Sequence, residues 1–175
     1  MANIASQPFK GLPSADLGDV VTTAQGFKNA AGAAIVLPLA QASKLKNKLF
    51  TVRAWGRVEG GTTVDFTPSL YYGTSAVVAN DTLIKSATAA AVDSAKHNWH
   101  IEARLVWDAD SDKIQGTFTA RIAAIAVTAL VVNAAISSAD PEEDVSTAKG
   151  LIISGLFSTT HAGNHAYLDG FELEV

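Results

Sequence analysis

Apolar and polar residues alternate with a period of two in run after run along this chain, and turn-forming residues separate the runs. Leu49 to Val58 puts Phe50, Val52, Ala54, Gly56 and Val58 on one face and Thr51, Arg53, Trp55 and Arg57 on the other. Trp99 to Trp107 sets Trp99, Ile101, Ala103, Leu105 and Trp107 against His100, Glu102, Arg104 and Val106. Such segments are half-buried strands. Ile114 to Val127 carries Ile114, Gly116, Phe118, Ala120 and Ile122 on a shared face, and Tyr167 to Val175 alternates Phe171 and Leu173 with Glu172 and Glu174.

Further strands are expected at Ala34 to Leu39, Val64 to Tyr72 and Leu83 to Val92. The Ala run at 89 to 91 would also suit a helix, but strand is favoured there. Leu130 to Ile136 extends the strand before it or pairs with it. Gly150 to Phe157 is apolar on both faces, as in a central strand covered on both sides. Glu59-Gly60-Gly61, Asn80-Asp81, Asp108 to Asp112, Asp140 to Asp144 and Ala162-Gly163-Asn164 supply the turns.

Many short strands and few helices predict an all-β protein, an antiparallel two-sheet sandwich. A jelly roll is the preferred topology; an immunoglobulin-like sandwich would lack its cysteine pair here. The chain is 175 residues long, enough for one domain, placed at 34–175. Residues 1–33 differ. They are rich in Gly, Ala and Pro, and their apolar residues Phe9, Leu12, Leu17 and Phe27 follow neither a strand nor a helix period. They predict an extended N-terminal arm whose separate apolar anchors order on a neighbouring subunit, contributing to assembly more than to folding.

Charge and composition narrow the partners. The net charge of −4 is the opposite of what tracking phosphates requires, so nucleic acid is not an expected ligand. With no cysteine, disulfides, thiolate zinc sites and a Cys nucleophile are excluded. Charged residues make up only 17%, which suits a surface shared with a partner. Met1 to Lys10 shows no basic segment followed by an apolar run, so export by a secretory signal is not expected. Ile122 to Ala139 is uncharged, but Thr128, Asn133, Ser137 and Ser138 interrupt it, and two strands with a turn are expected instead of a membrane span.

No reactive constellation converges. Asp108, Asp110 and Asp112 form D-x-D-x-D, yet Lys113 and Thr119 occupy the positions where a calcium loop needs Gly and Glu. His97 and His100, and His161 and His165, lack the companions of a metal site. Gly73 to Val77 lacks the second glycine of a nucleophile elbow. Glu172 and Glu174 share a strand face at the spacing of a glycosidase acid pair, and equally suit the wet face of a terminal strand. Neither an enzyme nor a cofactor is expected.

Trp55 between Arg53 and Arg57 has the residue types of an interface hot spot, unless the arginine stems lie across the ring inside the domain. Tyr71, Tyr72 and Trp107 are candidates, with Trp55, for a sugar-stacking platform. The segments Phe50-Thr51-Val52-Arg53-Ala54-Trp55-Gly56-Arg57-Val58, Trp99 to Asp108, Gly150 to Ser158 and Gly163 to Glu174 together resemble the jelly-roll decoration, or cement, proteins of tailed bacteriophage capsids. The resemblance runs from Phe50 onward and transfers no catalytic residue. It implies a virion protein, made in the bacterial cytoplasm, that binds the major capsid protein on the capsid exterior, self-associates as a homotrimer and strengthens the lattice. The competing reading is a carbohydrate-binding or tail-associated adhesion module of the same architecture.

Overall fold

The computed structural model describes residues 15–16, 23–28, 32, 35–38, 47–73, 77–108, 111, 113–123, 125–135 and 150–174. Short strands β1 (Ala15–Asp16), β2 (Gln25–Gly26) and β3 (Val36–Pro38) precede the long ones. β4 (Leu49–Glu59) and β5 (Val64–Gly73) follow, then β6 (Thr82–Ser86) and β7 (Ala90–Val92). The chain continues through β8 (His97–Asp108), β9 (Lys113–Ile122), β10 (Ile125–Ala135), β11 (Gly150–Phe157) and β12 (His165–Glu174). Among the described residues the only helical element is a 3-10 turn at Val78–Asn80.

These strands form two antiparallel sheets packed face to face. The large sheet has the order β1-β12-β4-β8-β9-β10, and the smaller one β2-β11-β5-β6, with β3 also on β11 and β7 also on β5. The protein is thus an all-β sandwich. The strand order does not establish a jelly-roll path, because β8, β9 and β10 follow one another as a meander within one sheet.

Alternation sets the inner face as expected. Phe50, Val52, Ala54 and Val58 of β4 and Trp99, Ile101, Ala103, Leu105 and Trp107 of β8 are all buried, meeting Phe66, Leu70, Leu151, Ile153 and Phe157 from the other sheet. β11 is buried on both faces: Leu151 and Ile153 join this core, and Ile152 and Ser154, which alternate with them, are also inaccessible. At the centre Trp99 stacks on Phe27 with ring centroids 5.7 Å apart, and Phe66 lies 6.2 Å away.

That contact corrects the reading of Phe27 as an anchor for a neighbour. Phe27 is fully buried in its own chain, its N–H donates to the Ile153 carbonyl at 3.1 Å, and its carbonyl accepts from Ile35 at 2.9 Å. β1 and β2 likewise add to β12 and β11, so the N-terminal segment borders both sheets and residue 33 is not the edge of the folded domain. A single aromatic at the end of a two-residue strand has no period to betray it. Phe9, Leu12 and Leu17 lie outside the described residues.

Two further boundaries move. Ile114 to Val127 is not one strand: β9 ends at Ile122, and Ala123 turns the chain with a left-handed φ of 54°. β10 then runs back along β9, so Leu130 to Ile136 belongs to a paired strand that begins before it. Alanine is not a turn-forming residue, which is why the turn at Ala123 left no mark on the sequence. The Leu83 to Val92 run divides into β6 and β7, both pairing with β5.

A bulge near the end of the chain restores the phase of the core. Ala166 and Leu168 face inward, as do Phe171 and Leu173, although the two pairs differ in parity. The register of β12 on β4 shifts between Leu168 and Gly170, so Asp169 is the extra residue that lets both pairs point inward. The Trp99 indole N–H supplies a donor at this seam, 3.2 Å from the Tyr167 carbonyl and 3.3 Å from that of Arg57. The ring reaches them because Gly56 has no side chain; a Cβ there would stand 1.8 Å from the Tyr167 carbonyl oxygen.

Two substitutions test this account. Phe27→Ala should cost about 3–5 kcal/mol in denaturant unfolding, as for any aromatic deleted from a packed core. An unchanged unfolding midpoint would return the segment to the role of a detached arm. Gly56→Ala should cost about 3 kcal/mol, the upper end of the range for overpacking, since the obstacle is backbone that a rotamer change does not relieve.

Candidate functional site

The outer face of the large sheet gathers most of the polar residues singled out in the sequence. Strand pairing lines them up in rows across β12, β4 and β8. In one row Glu172 lies beside Arg53 and Arg53 beside Glu102; in the next, Gly170 lies beside Trp55 and Trp55 beside His100; a third sets Tyr167, Arg57 and Asn98 side by side.

Arg53 holds the first row together. Its Nε donates to Glu102 at 3.1 Å, and its Nη1 donates to Glu172 at 3.2 Å and to Glu174 at 2.8 Å. Arg104 donates to the second oxygen of Glu102 at 3.1 Å. Each such pair at a half-exposed position is worth under about 1 kcal/mol, but a guanidinium shared by three carboxylates also prevents those carboxylates from repelling one another. The hydrogen bonds to Glu174, Glu102 and Glu172 raise the Arg53 pKa, and Arg53 in turn holds the Glu102 carboxyl below its ordinary value. Glu172 and Glu174 therefore serve as hydrogen-bond partners of one arginine.

Arg57 is fixed in a different way. It makes a bidentate pair with Asp169, the bulge residue, at 2.8 and 2.9 Å, and its guanidinium lies 5.1 Å from the centre of the Tyr167 ring. His165 stacks on the same Tyr167 ring, with ring centroids 6.2 Å apart.

Trp55 stands between these two anchored arginines and is 36% exposed. The arginine stems do not need to cover it, because it rests on Gly170: a Cβ built there would come within 2.1 to 2.8 Å of three atoms of the six-membered ring. Trp99 is 1% exposed and Trp107 3%, so Trp55 is the one tryptophan that reaches solvent. Beside it His100 is half-buried, and burial is the main cause that lowers its pKa. With both arginines neutralised locally, the face presents an apolar ring inside a lattice of fixed, paired charges. A partner would gain the burial of that ring without first having to match a strong field.

The remaining candidates lie elsewhere. Tyr72 and Trp107 are buried in the core, and Tyr71 belongs to the other sheet, so the four aromatics proposed as a sugar platform do not come together. His97 pairs with Asp93 at 2.8 Å, and His161 accepts the Gly163 N–H at 3.0 Å in the last loop. Asp108 accepts a hydrogen bond from Ser111 at 2.5 Å, while Asp110 and Asp112 lie outside the described residues. Among the described residues there is no group of three or more His, Cys, Asp or Glu side chains set to hold a metal ion, and no helix long and apolar enough to cross a membrane.

Sequence reasoning found Arg53, Trp55 and Arg57 but not Gly170, Asp169, His100 or Glu102 as their supports. The available signal was the parity break in Tyr167-Leu168-Asp169-Gly170-Phe171, which announces a bulge. Arg53→Ala should destabilise the fold by about 1–2 kcal/mol in denaturant titration, as three carboxylates lose their shared cation.

Acid should act in two stages. His100 has a folded pKa below its ordinary 6.5, so the unfolded chain binds the proton first and stability declines as the pH falls through 6.5 toward the folded value. Glu102, held below 4.5, contributes stability that is complete above 4.5 and is lost as the pH falls toward its own folded value. Unfolding free energies measured against pH should lose the first decline in His100→Gln and most of the second in Arg53→Ala. No family model, curated protein or solved structure matches the chain.

Proposed function

We propose that this chain is a structural, non-catalytic virion protein that binds the outer surface of a bacteriophage capsid and stabilises its lattice. Its partner in this reading is the major capsid protein, and the contact is centred on Trp55. The observation that carries the reading is the exposed indole seated on Gly170 between two arginines already held by carboxylates. A rigid aromatic anchor in a ring of polar groups is how a small interface concentrates its binding energy. The resemblance of the β4, β8, β11 and β12 segments to capsid decoration proteins supplies the kind of partner, and with it self-association on the particle as a homotrimer.

A second reading rests on the same ring. An exposed tryptophan on a sheet face, with His100, Arg53 and Glu172 as hydrogen-bonding neighbours, also suits a sugar stacked on its surface. Co-sedimentation separates the two. Purified chain mixed with capsids of the phage whose genome encodes it should pellet at a saturating stoichiometry and raise the temperature at which the particles disrupt. Trp55→Ala should weaken attachment at least about tenfold while leaving circular dichroism unchanged, the loss expected of a central aromatic. Absence of co-sedimentation, with saturable binding on a glycan array that Trp55→Ala removes, would replace the capsid reading with the carbohydrate one.

A further inference from the structure

All four arginines of the sequence stand on the outer face of the large sheet: Arg53 and Arg57 on β4, Arg104 on β8 and Arg121 on β9. Three are held by carboxylates of the same face. Arg53 is held by Glu102, Glu172 and Glu174, Arg57 by Asp169, and Arg104 by Glu102. Arg121 is exposed, and among the described residues no carboxylate lies within ion-pair distance of it.

Strand pairing explains the difference. Arg121 lies opposite His100 of β8 and Ala126 of β10, and the acidic residue diagonal to it, Glu102, lies opposite Thr119. Both oxygens of Glu102 are already engaged, Oε2 by Arg53 and Oε1 by Arg104. The carboxylates of β12 are spent on β4 in the same way.

The pairing also sets Arg121 in the row of the exposed indole. Trp55 lies opposite His100, and His100 opposite Arg121. Ring and cation are thus two strand spacings apart at the backbone, roughly 10 Å. A protein interface of standard size covers roughly 800 Å² on each partner, a disc of about 16 Å in radius. One centred on Trp55 therefore covers Arg121 as well. A guanidinium taken out of water with no opposite charge is strongly unfavourable, and its own chain supplies none, so the carboxylate has to come from the partner.

We infer, resting on the capsid reading of this face, that Arg121 is its second contact residue and binds an aspartate or glutamate carboxylate of the capsid protein. The guanidinium fork meets a carboxylate through two parallel hydrogen bonds, so the pair fixes direction as well as charge. An aromatic anchor alone leaves a partner free to turn about the ring; a directed ion pair in the same row removes that freedom. A partner that presents a cation at this point is rejected.

Co-sedimentation with capsids of the phage whose genome encodes the chain, over a series of sodium chloride concentrations, tests the assignment. Arg121→Gln should weaken attachment at least about tenfold with unchanged circular dichroism, and should flatten the decline of affinity with salt shown by the unaltered chain. Arg121→Lys keeps the charge without the fork and should bind with intermediate affinity, which preserves the test should the glutamine variant misfold. Lys113→Gln removes a cation from the other end of β9 and should bind as the unaltered chain does. If the unaltered chain pellets and Arg121→Gln pellets as tightly, or Lys113→Gln loses as much, the assignment of Arg121 is overturned and the capsid reading stands. If the unaltered chain does not pellet at all, the capsid reading falls and the carboxylate partner falls with it.

Discussion

Two glycines on adjacent strands, Gly56 of β4 and Gly170 of β12, let one tryptophan be buried beneath the large sheet and another lie on top of it. Beneath, Trp99 slides under Gly56 until its indole N–H reaches two main-chain carbonyls, and from there it organises Phe27 and Phe66 into the centre of the core. Above, Trp55 occupies the space that Gly170 leaves. Between the two lies the Asp169 bulge, which keeps both halves of β12 in phase with the core and turns its own carboxylate to Arg57. The position of the candidate face thus depends on the same seam that closes the fold.

The charges on that face act mainly inward. Arg53 and Arg57 tie β4 to β12, and Arg53 also ties it to β8, through carboxylates that alternate with them across the sheet. A surface whose charges are already paired exerts little long-range pull and selects its partner at contact, through shape and the aromatic ring. The low overall charge of the chain accords with that mode of recognition.

The architecture was largely legible because inward and outward residues alternate over the long strands β4, β8 and β9, where a period of two has room to show itself. It was less so where the decisive residue stands alone. Phe27 sits among Gly and Ala in a segment without period, and Ala123 makes a turn with a residue that ordinarily continues a strand. At the candidate face the alternation exposed Arg53, Trp55 and Arg57, all on one strand. Their partners are separated from them by up to 121 residues, so only the pairing of β4 with β12 and β8 could reveal them. Gly170 was invisible for the further reason that its role is an absence of side chain.

The most direct test of the central claim, that Trp55 is the contact residue of an otherwise inward-looking sheet, is quenching of tryptophan fluorescence by acrylamide in the free chain and in the chain bound to capsids. Trp99 and Trp107 are enclosed, so quenching reports on Trp55. The account predicts one readily quenched component in the free protein that becomes protected on the particle. Bound chain whose tryptophan remains as accessible as in solution would contradict it and move the interface to another surface.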